Sequence, residues 1–462
     1  MELAFLPATE QAWLIRKGEV SAVELAELYL ERIDRLDPEL NSFVTVCGEE
    51  ALEDARASDA SKDERPFRGV PIAVKDLTAT AGIRTTYSSR AFADNVPDFD
   101  TAVVRRLRAA GFVILGKTNT PEFGTVAFTE SELNGATRNP WNPERTPGGS
   151  SGGAATALAA GLVPLAHGTD GGDSIRIPAS CCGVFGLKPS RGRVSTAPFP
   201  SLEGLSTSGP ISRSVADAAA LLDVLSGYEP GDPWWAPPPE RAFTEEPGAP
   251  PGRLRIAVTA EPPIEASVHT DCSAALEGAA DLLASLGHEV FEATPPWTGA
   301  GLLDAFIAVW RVSPALYAVD PELLTPLNRG LADSARASSA ADYAQAAFHL
   351  QTAARRIVAF WQHTDVVLTP TLALPPVPIG WQEEGVEGAI EQLERNTLFT
   401  PFTAVANLTG LPAVSLPLHW SGEGLPIGVQ AIGPPAGDAV LLRLAAQLEE
   451  ARPWASKRPP IS

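Results

Sequence analysis

Two glycine-rich segments, each placed just before a helix, limit most strongly what this chain can fold into. The run Thr146–Gly153 contains four glycines and cannot hold regular structure, whereas the alanine-rich run Ala154–Ala160 after it is a good helix former. The pattern recurs after the apolar residues Val163–Ala166, where Gly168–Ser174 forms the second segment. The sequence therefore predicts two loops with accessible backbone N–H groups, each containing serine.

Helix and strand signals alternate in the part of the chain that precedes these loops. A capping box opens an amphipathic helix that we predict over about 21 to 36. The apolar run Val70–Val74 is a predicted buried strand with Lys75 at its C-terminal end, followed by a helix over Thr101–Ala110 and a strand over Phe112–Leu115. This alternation predicts an α/β architecture with parallel strand pairs.

The same alternation continues towards the C-terminus. Residues 228–252 are rich in proline and glycine and are predicted to form a long surface excursion, and residues 297–360 are predicted to be helical. Further strands are predicted at Arg255–Val258, Val366–Leu368 and Ala413–Leu416. We therefore expect a single domain over 1–462.

Charge and composition exclude several classes of function. The chain has 462 residues and a net charge of −21, and it has no Lys/Arg cluster long enough to bind a phosphate backbone against that charge. Residues 1–10 do not place a basic stretch before an apolar run, and the sequence has no run of about 18 apolar residues. The scattered cysteines and histidines match neither a disulfide framework nor a metal motif. We expect a cytoplasmic protein with no nucleic-acid or membrane partner and no metal.

Serines in the two glycine-rich segments, Ser150 and Ser174, indicate acyl transfer. Backbone N–H groups of such loops can bind the negative charge that develops on a carbonyl oxygen. A phosphate-binding loop would need a closing lysine, and neither segment has one. A serine nucleophile needs a base, and Lys75 can serve if burial lowers its pKa. By spacing alone, a surface lysine beside Asp76 is the alternative.

Histidines suggest two other arrangements. Gly148–Gly152 matches the GxSxG nucleophile elbow, with His363 and His419 downstream as possible triad members. That elbow follows a strand, however, whereas this segment follows Asn139–Pro143, which is not a predicted strand. His167 lies shortly before the second serine and suggests a Ser–His pair, with a packing role as the alternative.

Segments between about residues 20 and 450 closely resemble the amidase signature family. The resemblance rests on Gly69–Asp76, Gly116–Asn119, Asn139–Trp141, Gly148–Gly153, Gly168–Ala179, Cys182–Gly183, Gly186–Pro189, Asn407–Ala413 and Gly424–Gln430. It implies the amidase signature fold, a large mixed and mostly parallel sheet flanked by helices. It also implies a signature core at about 65–200, a variable cleft wall at about 297–400, and no cofactor.

The same resemblance implies roles for individual residues. Ser174 would be the nucleophile that forms an acyl-enzyme, Ser150 the bridging serine held by a cis peptide bond, and Lys75 the base. The N–H groups of the oxyanion hole would come from Gly171, Gly172, Asp173 and Ser174. Supporting residues would be Ser151, Asp170 and Arg176. Substrate contacts would come from Gly124, Thr125 and Ser150.

Position 173 departs from the family, which usually has glycine immediately before the nucleophile. Aspartate tolerates unusual backbone angles, so we expect the loop to form with Asp173 in place. Its carboxylate would oppose a developing oxyanion if it pointed inward. We therefore expect the side chain to point away, towards solvent or a partner group. The alternative is that it binds an amine of the substrate or of the leaving group.

The expected function is hydrolysis of carboxylic amides of small or synthetic molecules. Within the family, the chain resembles bacterial amidases, including cyclic oligoamide and carbamate hydrolases. Cleavage of urethanes or aryl esters by the same triad is an alternative, because these substrates pass through the same tetrahedral chemistry. A second alternative is the A-type subunit of a glutamine amidotransferase complex, and a third is a catalytically silent binding protein. The expected partner is a small-molecule amide or carbamate, and the chain is compatible with a monomer or a homodimer.

Overall fold

The structure is a computed structural model that describes residues 2–299 and 301–462. The α-helices in these residues are α1 Ala8–Lys17, α2 Ala22–Leu40, α3 Gly48–Ala60, α4 Ala102–Ala110, α5 Gly152–Ala159, α6 Arg176–Cys182, α7 Val215–Leu225, α8 Thr270–Ser285, α9 Leu302–Trp310, α10 Pro326–Arg336, α11 Ala340–Val358, α12 Ala389–Phe399, α13 Ala404–Thr409 and α14 Asp438–Ala451. The strands are β1 Phe43–Val46, β2 Pro71–Lys75, β3 Val113–Thr118, β4 Glu130–Ser131, β5 Gly135–Ala136, β6 Ala166–Asp170, β7 Phe185–Lys188, β8 Thr207–Ser212, β9 Arg255–Val258, β10 Glu289–Glu292, β11 Val366–Pro370, β12 Ala413–Trp420 and β13 Pro426–Ile432.

Eleven strands form one sheet, in the order β1-β3-β2-β6-β8-β7-β12-β13-β11-β9-β10. Parallel pairs form two groups, β3-β2-β6 on one side and β11-β9-β10 on the other. The strands between these groups pair antiparallel, as does the edge pair β1-β3. The α/β class and the large mixed sheet flanked by helices are confirmed.

Helices cover both faces of the sheet, and the alternation of side chains along β2 shows how. Ile72 and Val74 pack in one core with side chains of α4 and α7. Ala73 packs in the other core, with side chains of α2, α5 and α6. Because successive residues of a strand face opposite sides, Lys75 points to the same side as Ala73. It therefore faces the helices that follow the two glycine-rich segments.

Two predicted boundaries differ from the structure. The helix predicted to end near 36 runs to Leu40 and ends at Asn41, which adopts the left-handed conformation (φ 52°) that asparagine tolerates. The second glycine-rich segment was predicted as loop throughout, but its first residues, Gly168–Asp170, belong to β6. They pair antiparallel with β8, and this pairing outweighs the weak strand preference of glycine and aspartate.

No helix in the described parts of the chain is both long and apolar enough to cross a bilayer.

Candidate active site

Lys75, the last residue of β2, contributes a buried amine to the site. Its Nζ lies 2.7 Å from Ser150 Oγ and 3.0 Å from Thr169 Oγ1. Burial lowers the pKa of Lys75 to about 7, although the charges of Asp170 and Asp173 act in the opposite direction. The amine is therefore present in its neutral form near neutral pH, as a proton acceptor requires.

Ser150 lies in the first glycine-rich loop, immediately before α5. The Gly149–Ser150 peptide bond is cis, as the resemblance implies. Two glycines near the serine leave no room for a side chain, Gly149 in the loop itself and Gly124 in the segment that faces it. A Cβ added at Gly149 would lie 2.8 Å from Phe128 N, and one added at Gly124 would lie 3.0 Å from Ser150 Oγ.

Ser174 lies between β6 and α6, in the second glycine-rich segment. Ser151 N donates a hydrogen bond of 3.1 Å to Ser174 O, which joins the two loops directly. The Ser174 hydroxyl donates to Asp173 Oδ1 at 3.4 Å, and no hydrogen bond joins it to Ser150 in the described residues. The structure thus places Lys75 in direct contact with Ser150 and brings Ser174 into the adjoining loop.

Backbone N–H groups of residues 171–174 are available for a ligand. Among the hydrogen bonds of the described residues, none has one of these four N–H groups as its donor. The adjacent α6 begins at Arg176, and its first amides donate to the Asp173 carbonyl instead. Unpaired N–H groups of this kind can stabilise negative charge on a carbonyl oxygen.

A buried ion pair between Asp170 and Arg176 holds the second loop in place. Arg176 donates to both carboxylate oxygens of Asp170, at 2.9 and 3.0 Å. Burial alone would raise the pKa of Asp170, but the charge and hydrogen bonds of Arg176 hold it below its usual value. Ser151 also fits a supporting position, because its Oγ donates to Thr169 O at 3.2 Å.

Sequence reasoning gave no role to several residues around this ion pair. The remaining donors of Arg176 bind oxygens of Gly172, Thr403, Asn407 and Gln430. Asn407 and Gln430 lie in segments that resemble the family, but the spacing along the chain gives no sign that they meet Arg176. Thr169 was missed as a contact of Lys75 because its segment was predicted as loop rather than strand.

Asp173 does not point away from the site, so this expectation is wrong. Its carboxylate accepts the hydrogen bond from Ser174 and lines the neighbouring pocket. Burial raises the pKa of Asp173 to about 7, and the nearby charge of Asp170 adds to this effect, whereas Arg176 opposes it. The neighbouring Gly171 and Gly172 face Trp310 and Phe306 of α9, so this part of the loop lies against the pocket wall.

An apolar pocket adjoins the second loop at Gly172 and Asp173. Gly124 and Thr125 line it, together with residues of α9 and α12. Phe306 and Trp310 of α9 stack with ring centroids 5.7 Å apart, and Trp310 Nε1 donates to Thr125 O at 2.9 Å. The predicted cleft wall at about 297–400 thus supplies much of the lining. The Thr125 hydroxyl itself donates to Asn328 Oδ1, away from the loops.

None of the histidines considered above contacts the serines in the described residues. His167 is buried in β6, and burial together with the charges of Lys75 and Lys117 lowers its pKa to about 3. Its ring nitrogens have no hydrogen-bond partner among the described residues. His363 is exposed, and His419 lies in β12 opposite Ile427. The hydrogen-bond partner of Ser150 is Lys75, so the structure does not support an elbow triad.

Comparison with known proteins gives consistent matches over nearly the whole chain. Residues 24–442 match the model of the Amidase family. AmiB2 of Mycobacterium tuberculosis (strain ATCC 25618 / H37Rv) is 42% identical over 471 residues, which cover 100% of this chain and 99% of that protein. The 6-aminohexanoate-cyclic-dimer hydrolase of Pseudomonas sp. (strain NK87) is 38% identical over 479 residues, which cover 98% of this chain and 96% of that protein.

Solved structures agree with these matches. The structure of 6-aminohexanoate cyclic dimer hydrolase complexed with substrate has a TM-score of 0.92 at 36% identity and covers 100% of both chains. A bacterial aryl acylamidase of the amidase signature family has a TM-score of 0.86 at 27% identity, with coverage of 98% of this chain and 97% of that chain. The chain therefore belongs to the amidase signature family and is a hydrolase that acts on amide C–N bonds.

Proposed function

We propose that this amidase works through an acyl-enzyme on Ser174, with Ser150 and Lys75 moving the protons. The observation that best supports the proposal is the 2.7 Å contact between Lys75 Nζ and Ser150 Oγ in a buried site. Burial lowers the pKa of Lys75 to about 7, so a neutral amine is available to accept a proton. The hydrogen bond from Ser151 N to Ser174 O, which joins the two loops, supports a role for Ser174 next to this pair.

Each step moves one proton through the same two groups. The Ser174 hydroxyl turns from Asp173 towards Ser150, gives its proton to Ser150 and attacks the carbonyl carbon, while Ser150 gives its own proton to Lys75. The N–H groups of residues 171–174 stabilise the oxyanion. The amine then leaves with the proton that returns from Lys75 through Ser150. Water attacks the acyl-enzyme by the same route and releases the carboxylic acid.

The proposed substrates are amides of small or synthetic molecules with apolar parts. The pocket beside the second loop is lined mainly by apolar and aromatic side chains, four of them from α9, which favour such groups. The similar proteins named above include a hydrolase of a cyclic dimer and an aryl acylamidase, which supports the same class. Carbamates and aryl esters can follow the same steps, so they belong in the test.

A fluorophosphonate tests the proposed nucleophile, because it labels activated serines. We expect one adduct by intact mass, and peptide mapping should place it on Ser174. The adduct should be absent in Ser174→Ala and should form much more slowly in Ser150→Ala and Lys75→Ala, which keep the nucleophile but lose the proton relay.

An adduct on Ser150 instead of Ser174 would overturn the proposal. The labelled protein should also lose activity on a panel of amides, carbamates and aryl esters, in proportion to the labelled fraction. Glutamine is included in the panel, since release of ammonia only in the presence of partner subunits would indicate an amidotransferase subunit.

A further inference from the structure

Asp173 is the only ionisable side chain among the described residues that line the pocket. The other polar side chains in the lining are neutral, such as those of Asn396 and Thr400. The remainder of the lining is largely aliphatic and aromatic. A single carboxylate in such surroundings strongly favours a ligand that brings a positive charge.

Arg176 and Lys75 act on this carboxylate only at a distance, because their hydrogen bonds go to other groups. Arg176 already donates to five other residues, including both carboxylate oxygens of Asp170. Lys75 binds the hydroxyls of Ser150 and Thr169. Among the ion pairs of the described residues, none includes Asp173.

The surroundings of Asp173 therefore disfavour its charged form. Burial and the neighbouring Asp170 raise its pKa to about 7, against the charge of Arg176 and the hydrogen bonds of Thr400 and Ser174, and the bond from Ser174 is long, at 3.4 Å. A nearby positive charge would restore the ionised carboxylate, because opposite charges within about 4–6 Å favour it. An ammonium group of the substrate can supply that charge.

We propose that Asp173 binds a primary ammonium group on the acyl part of the substrate, so that this enzyme prefers amides of short amino acids. This inference rests on the proposed function, in which Ser174 attacks the scissile carbonyl. Since Asp173 Oδ1 lies 3.4 Å from Ser174 Oγ and an ammonium–carboxylate bond spans about 2.8 Å, the amine nitrogen lies within about 6 Å of the attacking oxygen. That distance fits α- and β-amino acyl groups.

Two matched substrates test the proposal. In alanine p-nitroanilide an ammonium group occupies the place of one methyl group of isobutyryl p-nitroanilide, and the two molecules are otherwise alike. At a pH of about 7, where an α-amino group is largely protonated, we expect kcat/KM to favour the alanine substrate by at least about tenfold. Asp173→Asn should abolish this preference, mainly through a higher KM for the alanine substrate, and Asp173→Glu should restore part of it.

Glu394→Gln is the matched control, because it removes one negative charge from an exposed position on the pocket helix α12. It should keep the preference for the alanine substrate. If Asp173→Asn lowers kcat/KM of both substrates by the same factor, Asp173 only maintains the loop and the inference is wrong. A preference for the isobutyryl substrate in the unmodified enzyme would also overturn it.

A binding measurement separates this inference from the proposed mechanism. Calorimetric titration of Ser174→Ala with alaninamide and with isobutyramide requires no catalysis. Tighter binding of alaninamide, lost when Asp173→Asn is added, supports the ammonium site even if the proposed nucleophile is wrong. Equal binding of the two amides to Ser174→Ala, when the unmodified enzyme hydrolyses isobutyryl p-nitroanilide and Ser174→Ala does not, contradicts the ammonium site and leaves the mechanism intact.

Discussion

Lys75 and Arg176 are both buried beside the two serines, but their surroundings differ in charge. Arg176 pairs with the carboxylate of Asp170. Lys75 contacts only two hydroxyl groups, and burial lowers its pKa to about 7. Arg176 therefore stabilises the second glycine-rich loop, while Lys75 can gain and lose a proton.

The pH dependence of the reaction follows from Lys75. Above its pKa the amine is neutral and can accept the proton of Ser150, and below it the amine is charged and cannot. We therefore expect kcat/KM for a neutral amide such as isobutyryl p-nitroanilide to rise with pH through about 7. The pH–rate profile measures this, and Lys75→Arg should have no activity at any pH tested, because arginine does not deprotonate.

The pKa of Asp173 is also raised to about 7, so the pH–rate profile needs a control that removes this carboxylate. Asp173→Asn should keep the rising limb on the neutral substrate. Loss of that limb in Asp173→Asn would assign the titration to Asp173 and contradict the role of Lys75.

The ion pair of Arg176 should be important for stability. Arg176→Met leaves the buried Asp170 carboxylate without its cationic partner, and we expect the free energy of unfolding to fall by about 3–5 kcal/mol. Denaturant unfolding measures the change. Arg336→Met is the matched control, since Arg336 pairs with Asp333 at the surface and such pairs contribute about 0–1 kcal/mol. Equal losses in the two variants would contradict the role of the buried pair.

At the level of elements, sequence patterns predicted the strands that are buried on both faces. The apolar runs at Val70–Val74 and Val366–Leu368 coincide with β2 and β11, because complete burial requires apolar residues throughout. The end of β6 was not predicted, because its pairing with β8 depends on residues far away in sequence. For the same reason, no pattern indicated that Trp310 of α9 lies against Thr125.

The candidate site was predictable to a similar extent. Local segments and their resemblance to a family identified Lys75, Ser150 and Ser174 together with the cis peptide bond. The surroundings of Asp173 were not predictable, since its neighbours come from α9 and α12, whose sequences carry no shared motif. Asn407 was missed because its contact with Arg176 joins residues that are distant in the chain.

Helix α9 packs directly on the loop with the free N–H groups, which leads to a prediction at this scale. A Cβ added at Gly171 would lie 2.8 Å from Trp310 Cη2, whereas one at Gly172 would meet only Phe306 Cζ, at 3.6 Å. Gly171→Ala must therefore shift the loop or the helix. We expect kcat of Gly171→Ala to be at least about tenfold lower than kcat of Gly172→Ala, because the shift would displace the N–H groups proposed to stabilise the oxyanion. Steady-state kinetics of the two variants measures this, and a similar kcat in both would show that α9 does not fix the loop.

At the level of the whole molecule, the net charge of −21 acts on any charged substrate before it binds. A negative surface attracts cations and raises their local concentration near a cleft. The pocket contains one carboxylate, that of Asp173. The overall charge of the protein and the local charge of the pocket therefore both favour a positively charged ligand.

Ionic strength should therefore affect charged and neutral substrates differently. Raising salt from about 0.01 M to about 0.15 M shortens the screening length from about 30 Å to about 8 Å. We expect kcat/KM for alanine p-nitroanilide to fall several-fold over this range, while that for isobutyryl p-nitroanilide, the neutral control, stays nearly constant. An equal response of both substrates would mean that salt acts on the protein rather than on electrostatic attraction.

The contacts of Arg176 also have a consequence for recombination between relatives. This side chain connects Asp170 and Gly172, near the middle of the chain, with Thr403, Asn407 and Gln430, near its end. A chimera whose crossover lies between these segments would combine a guanidinium from one parent with acceptors from the other. Exchange of residues 302–399 alone would replace α9 and α12 and leave every one of these acceptors in place. We therefore expect that residues 302–399 can be exchanged between family members as one unit to change the pocket wall, without disturbing the hydrogen bonds of Arg176 that hold the loop of Ser174.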